Sequence, residues 1–125
     1  MTHYAEKHHP AEFKVAKRLI AEILKRGFFV RLQDECEVSV SSTKDIEKVL
    51  PELCATGFDY VEVRAPNYGK LETIASFMLV WGNDPDGSEL IADYTDSPLA
   101  DEIYNLANGC PLTTADMEGL ERNHP

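Results

Sequence analysis

Between Ala11 and Arg26, apolar side chains recur at Phe13, Ala16, Leu19, Ile20, Ile23 and Leu24, with Glu12, Lys14, Lys17, Arg18, Glu22, Lys25 and Arg26 around them. Spacing by three and four residues predicts an amphipathic helix that turns one face to a core. Pro10 suits its first turn, Lys25 and Arg26 complement the negative end of its dipole, and Gly27 is a suitable stop. From Phe28 the period shortens to two. Phe28, Val30 and Leu32 can face one way, followed by Cys36, Val38 and Val40, with Gln33-Asp34-Glu35 as the hairpin turn. Ser42-Thr43-Lys44-Asp45 then offers a hydroxyl cap to a second helix marked by Ile46, Val49, Leu50 and Leu53 and ending near Gly57. Pro51 removes a hydrogen bond inside that helix and kinks or shortens it.

Three more strands are predicted, at 59–64, 71–81 and 89–95. In Ile74-Ala75-Ser76-Phe77-Met78-Leu79-Val80-Trp81 both alternating faces are mostly apolar, the pattern of a central strand covered on both sides. Pro66-Asn67-Tyr68-Gly69 and Asn83-Asp84-Pro85-Asp86-Gly87 carry turn chemistry on either side of it. Ser97-Pro98 opens a third helix through Leu99, Ile103 and Leu106, which Asn108-Gly109 ends. The order α-β-β-α-β-β-β-α implies an α+β single domain, with a mainly antiparallel sheet of about five strands and three helices packed on it. Residues 1–9 and 111–125 are expected to be loosely ordered ends.

At 125 residues the chain matches one domain, able to bury roughly 65% of its unfolded surface without metals or disulfides. No apolar run approaches the ~20 residues that span a bilayer, and residues 1–10 lack the hydrophobic stretch of a secretion signal. A cytoplasmic location is the expectation. Cys36, Cys54 and Cys110 are odd in number and widely spaced, which argues against a disulfide framework or zinc ribbon.

Charge sharpens the picture because it is unevenly spread. The formal net value is −10, divided as +4 over residues 1–31, −5 over 32–82 and −9 over 83–125. Such a surface repels phosphate and anionic lipid, so direct nucleic-acid or membrane binding is not expected, while a basic protein surface is attracted. The blocks 8–13 and 25–28, with Val80-Trp81-Gly82-Asn83-Asp84 and Ile91-Ala92-Asp93-Tyr94-Thr95, resemble small uncharacterised proteins encoded by phages, prophages and mobile elements of proteobacteria. The resemblance implies a mobile-element origin and brings no catalytic residues with it.

Three patterns bear on chemistry. Residues 83–89 place carboxylates and a glycine as in a calcium loop, but Gly82 and Asp93 stand where ligating positions one and twelve require side-chain donors, which favours a simple turn. His3, His8 and His9 sit near the start and His124 near the end, none paired at helical spacing, while Cys36 and Cys54 fall on inward positions where a buried thiol is the common outcome. No catalytic, cofactor or metal residues are assigned. The carboxylates Glu35, Glu37, Glu62, Asp84, Asp86, Glu89, Asp93, Asp96, Asp101 and Glu102 fall mostly on turns and exposed faces. They form either a solubilising face or, along strands with same-face residues ~6.6 Å apart, rows that imitate nucleic acid.

The basic first helix, with Lys14, Lys17, Arg18, Lys25, Arg26 and then Arg31, is either an ordinary solvated face or a dock for an acidic partner or for the acidic half of a second copy in head-to-tail assembly. Phe29, Tyr60, Tyr68 and Trp81 are expected off the core face as interface anchors. The resulting expectation is a non-enzymatic acidic binding protein in stoichiometric contact with a basic, nucleic-acid-handling protein, as a mimic or inhibitor of host defence. Its partner-binding residues are Asp84, Asp86, Glu89, Asp93, Asp96, Asp101, Glu102, Tyr68 and Trp81. A structural or accessory oligomer-forming protein is the alternative.

Overall fold

A computed structural model describes residues 3–82 and 86–108. The helical period at the start becomes α2 (Pro10–Lys25), preceded by a short α1 (Tyr4–His8) where a loosely ordered end was expected. Ala5 anchors α1 because it is fully buried. Gly27, at φ +89°, closes α2: its N–H bonds Leu24 O at 2.9 Å and the next N–H reaches Ile23 O at 3.4 Å, a left-handed ending that glycine adopts without strain.

The strands are β1 (Phe29–Asp34), β2 (Val38–Thr43), β3 (Phe58–Asn67), β4 (Lys70–Val80) and β5 (Ile91–Tyr94). They form one antiparallel sheet in the order β2-β1-β3-β4-β5. Between β2 and β3 lies α3 (Ile46–Val49), and α4 (Pro98–Ala107) follows β5. The fold is α+β, as the element order implied. Asp45 caps α3 through its carboxylate, accepting from Glu47 N–H at 3.0 Å, in place of the expected hydroxyl cap. Pro51 has the expected effect: the helix tightens into a 3-10 turn over Leu50–Glu52.

The first hairpin turns later than its sequence suggested. Asp34 ends β1 and its Oδ1 accepts from Cys36 N–H at 2.7 Å and Glu37 N–H at 2.9 Å, so residues 35–37 make the turn. Cys36 therefore lies exposed at the bend rather than inside a strand.

Alternation along the strands sends Val30, Leu32, Val61, Val63, Ala75, Phe77, Leu79 and Ile91 into a core with Phe13, Leu19, Ile20, Ile23, Ala100 and Ile103 from the helices. The intervening positions, among them Phe29, Arg31, Phe58, Tyr60, Glu62, Met78 and Val80, stay half-buried. Among the described residues, the helices thus cover one face of the sheet and none covers the other, so β4 meets helices on one side only. Its second row, with Ser76, Met78 and Val80 half-buried, belongs to the open face. The β3–β4 hairpin runs past β1, whose pairing stops at Arg64, and turns at Tyr68 (φ +52°) and Gly69 (φ +80°).

Candidate functional site

The segment 86–108 contains Asp86, Glu89, Asp93, Asp96, Asp101 and Glu102 and no Lys, Arg or His. Folding disperses some of this charge and gathers the rest. Glu102 meets Arg26 in an ion pair of 2.5 Å, and Arg26 Nε also holds Glu22 at 2.8 Å. Arg18 Nε donates to Ala107 O at 3.0 Å at the end of α4. Asp86 lines a hollow together with Lys14 and Arg18. The basic face of α2 is therefore partly spent in docking α4 and the loop before β5, while Lys14, Lys17 and Lys25 stay exposed. Arg31 points to the opposite side of the sheet and pairs with Glu62 at 2.7 Å.

Asp93, Asp96 and Asp101 remain. All three are exposed, and among the described residues none is within ion-pair distance of a Lys or Arg. Asp93 lies on β5, Asp96 in the segment that follows it and Asp101 in the first turn of α4. Tyr94 stacks on Tyr104 at 4.5 Å and on Phe77 at 5.9 Å. Burial, followed by the charge of Asp101, pushes the Tyr94 phenol upward. On the open face, β3, β4 and β5 set Tyr60, Met78 and Asp93 side by side across three strands, beside the T-shaped pair Phe58 and Tyr60 at 5.4 Å.

The expected site residues do not form one patch. Tyr68 is 97% exposed at the hairpin tip, about 26 Å along β4 from the Met78 level at ~3.3 Å per residue. Trp81 is corrected outright: it is buried, its ring ends the strand on the core side, and its Nε1 donates to Asp59 Oδ2 at 2.9 Å. Asp84 lies outside the described residues, as do the remainder of the calcium-like turn at 83–85, Cys110 and His124. Glu35 and Glu37 sit in the β1–β2 turn and Glu89 precedes β5, so the strand-borne acidic rows do not form.

Trp81 belongs to a second polar cluster that the sequence did not single out. Asp59 is fully buried. Its Oδ2 accepts from Trp81 and from Cys54 N–H at 2.8 Å, while Oδ1 has no hydrogen-bond partner. Burial raises the Asp59 carboxyl above the usual range, against the lowering effect of those two donors. Cys54, in a left-handed conformation at φ +65°, has its thiol pushed up to about 11 by burial, then by Asp59 and Glu12. Glu12 is buried in α2, accepts from Gly82 N–H at 2.9 Å and lies 3.4 Å from His9 Nδ1. A thiol held this far toward its neutral form is a poor nucleophile. Among the described residues, no group of three or more His, Cys, Asp and Glu is placed to hold a metal ion.

The alternation Asp59, Val61, Val63 was the available signal for a buried aspartate, since all three share one face. No described helix is long and apolar enough to cross a membrane. No family model, curated protein or solved structure matches the chain.

Proposed function

We propose that this chain is a non-enzymatic binding protein that contacts a basic protein partner stoichiometrically through its β5 edge and the adjoining open sheet face. The observation that carries this reading is Asp93, exposed and without a Lys or Arg partner among the described residues, set by strand register beside Met78 and Tyr60 on the face that no described helix covers. Asp96 and Asp101, likewise exposed and without such partners, follow on the segment from β5 into α4. The acids supply long-range steering and on-rate, and the half-buried aromatic and thioether surface supplies contact area. An enzyme that handles nucleic acid presents the kind of basic groove such an edge would enter, so it is the partner class proposed, with inhibition of that enzyme the expected consequence.

Affinity capture from the native cell's lysate, across a salt series and read by mass spectrometry, tests this against the variant Asp93→Asn/Asp96→Asn/Asp101→Asn. A basic protein is expected at low salt, released as salt rises and lost with the variant. Retention of the same proteins by the variant, or capture indifferent to salt, overturns the proposal. The apolar content of the open face favours a second reading, an oligomer that packs this face against another copy. Sizing decides it: a defined oligomer that dissociates on Met78→Asp supports self-assembly, and a monomer excludes it.

A further inference from the structure

We infer that the open face carries a receptor for a single arginine side chain, formed by Tyr60, Met78 and Asp93. The inference rests on the proposed contact with a basic protein and names the group by which that partner is anchored. Its basis is a hollow of about 310 Å³ lined by Tyr60, Ser76, Met78, Asp93, Tyr94 and Thr95. Strand register creates it. Tyr60 pairs with Met78 and Met78 with Asp93, so an aromatic ring, a thioether and a carboxylate stand in one row on three neighbouring strands. Across two strand spacings of ~4.8 Å, the ring and the carboxylate are about 10 Å apart at their backbones, with the Met78 thioether as the floor between them.

The polar groups of the hollow determine which ligand it takes. Thr95 Oγ1 is occupied in the sheet, accepting from Ser76 N–H at 2.9 Å, while Thr95 N–H bonds Ser76 O at 3.0 Å. Asp93 Oδ1 accepts from Tyr94 N–H at 2.9 Å, and the carboxylate has no Lys or Arg partner among the described residues. Farther along β1 and β3 on this face, Arg31 pairs with Glu62 at 2.7 Å and Arg64 is held by Thr73 and the Leu71 carbonyl. The uncompensated charge of the hollow is therefore a carboxylate at the rim of an aromatic and thioether floor. An anion is repelled by it, and a neutral apolar group would desolvate the carboxylate without replacing its hydration. A guanidinium satisfies both parts: its face stacks on the tyrosine ring and its edge donates to the carboxylate in a fork, which the compact, strongly hydrated ammonium of lysine does less well.

The test is a titration of the ¹⁵N-labelled protein with the peptides Gly-Arg-Gly, Gly-Lys-Gly and Gly-citrulline-Gly, citrulline being the uncharged isostere of arginine. The arginine peptide is expected to shift the amides of residues 60, 76, 78, 93 and 95. It is expected to bind roughly tenfold more tightly than the citrulline peptide, the sum of one exposed cation–π contact and one exposed ion pair. Asp93→Asn and Tyr60→Leu, at an exposed and a half-buried position of the open face, should weaken binding while the rest of the spectrum stays native, and Asp101→Asn should leave it unchanged. Equal binding of arginine and citrulline peptides, or equal binding of arginine and lysine peptides, overturns the receptor. Shifts confined to residues 96–101 also overturn it while leaving the acidic-edge contact standing. Loss of the captured basic protein with Asp96→Asn/Asp101→Asn, while Asp93→Asn retains it, has the same effect.

Discussion

At the scale of single residues, two aspartates at neighbouring strand ends do opposite things. Asp34 accepts three hydrogen bonds, two from backbone N–H groups, and these hold its carboxyl below the ordinary value. Asp59 is raised by burial. The signs follow from linkage. The Asp34 contribution is present above the unfolded carboxylate value of about 3.9 and is lost as pH falls through the lower folded value. The Asp59 contribution is present below about 3.9 and is lost as pH rises through its raised folded value. Stability should therefore decline as pH rises from about 3.9 through the raised folded value of Asp59, by at most about 1.4 kcal/mol per pH unit for one proton, and level off above it. Urea unfolding of Asp59→Asn between about pH 4 and pH 7 should show this decline removed; an unchanged pH slope would place its origin elsewhere. Replacement by Ala strands the Cys54 and Trp81 donors in the interior and is expected to cost about 1–3 kcal/mol for each. The buried aspartate was legible only as a member of an alternating row. Its partner Trp81 was misread because an aromatic at the end of an apolar strand can turn to either face.

Elements with a long, unbroken period were legible, and those decided by one side chain were not. The helix α2 announced itself through sixteen residues of consistent spacing, and Pro51 foretold the shortening of α3. The turn after β1 moved because the Asp34 carboxylate caps residues 36 and 37, a choice that the apolar pattern does not record. The two apolar rows of β4 were read as two covered faces, yet only the row with Ala75, Phe77 and Leu79 meets the helices. An apolar row does not reveal whether it is covered by the chain itself or left for another surface. The β3–β4 turn shows a local conflict of the same kind. Tyr68 occupies a left-handed position at φ +52° that asparagine tolerates with less strain. Tyr68→Asn is expected to raise the unfolding free energy by about 0.5–1 kcal/mol, measured by urea denaturation. No gain would mean that the exposed ring stabilises the folded chain by a comparable amount.

For the whole molecule, the net charge and its drift toward the later part of the chain were plain from composition, but its arrangement depended on tertiary neighbours. The packing of α4 on α2 joins Glu102 to Arg26 and sets Arg18 on the end of α4, removing part of each charged face from solvent. Within residues 86–108, Asp93, Asp96 and Asp101 stay exposed with no Lys or Arg partner among the described residues, and Asp93 borders an open face that no described helix covers. Zero-length carbodiimide coupling tests this most directly, because it joins a carboxylate only to an amine in contact with it. With the captured partner bound, Asp93, Asp96 and Asp101 should carry the crosslinks to partner lysines, and rising salt should abolish them. Crosslinks concentrated instead at Glu35, Glu37, Glu47 or Glu72, on other parts of the surface, would contradict the assignment of the β5 edge as the binding site.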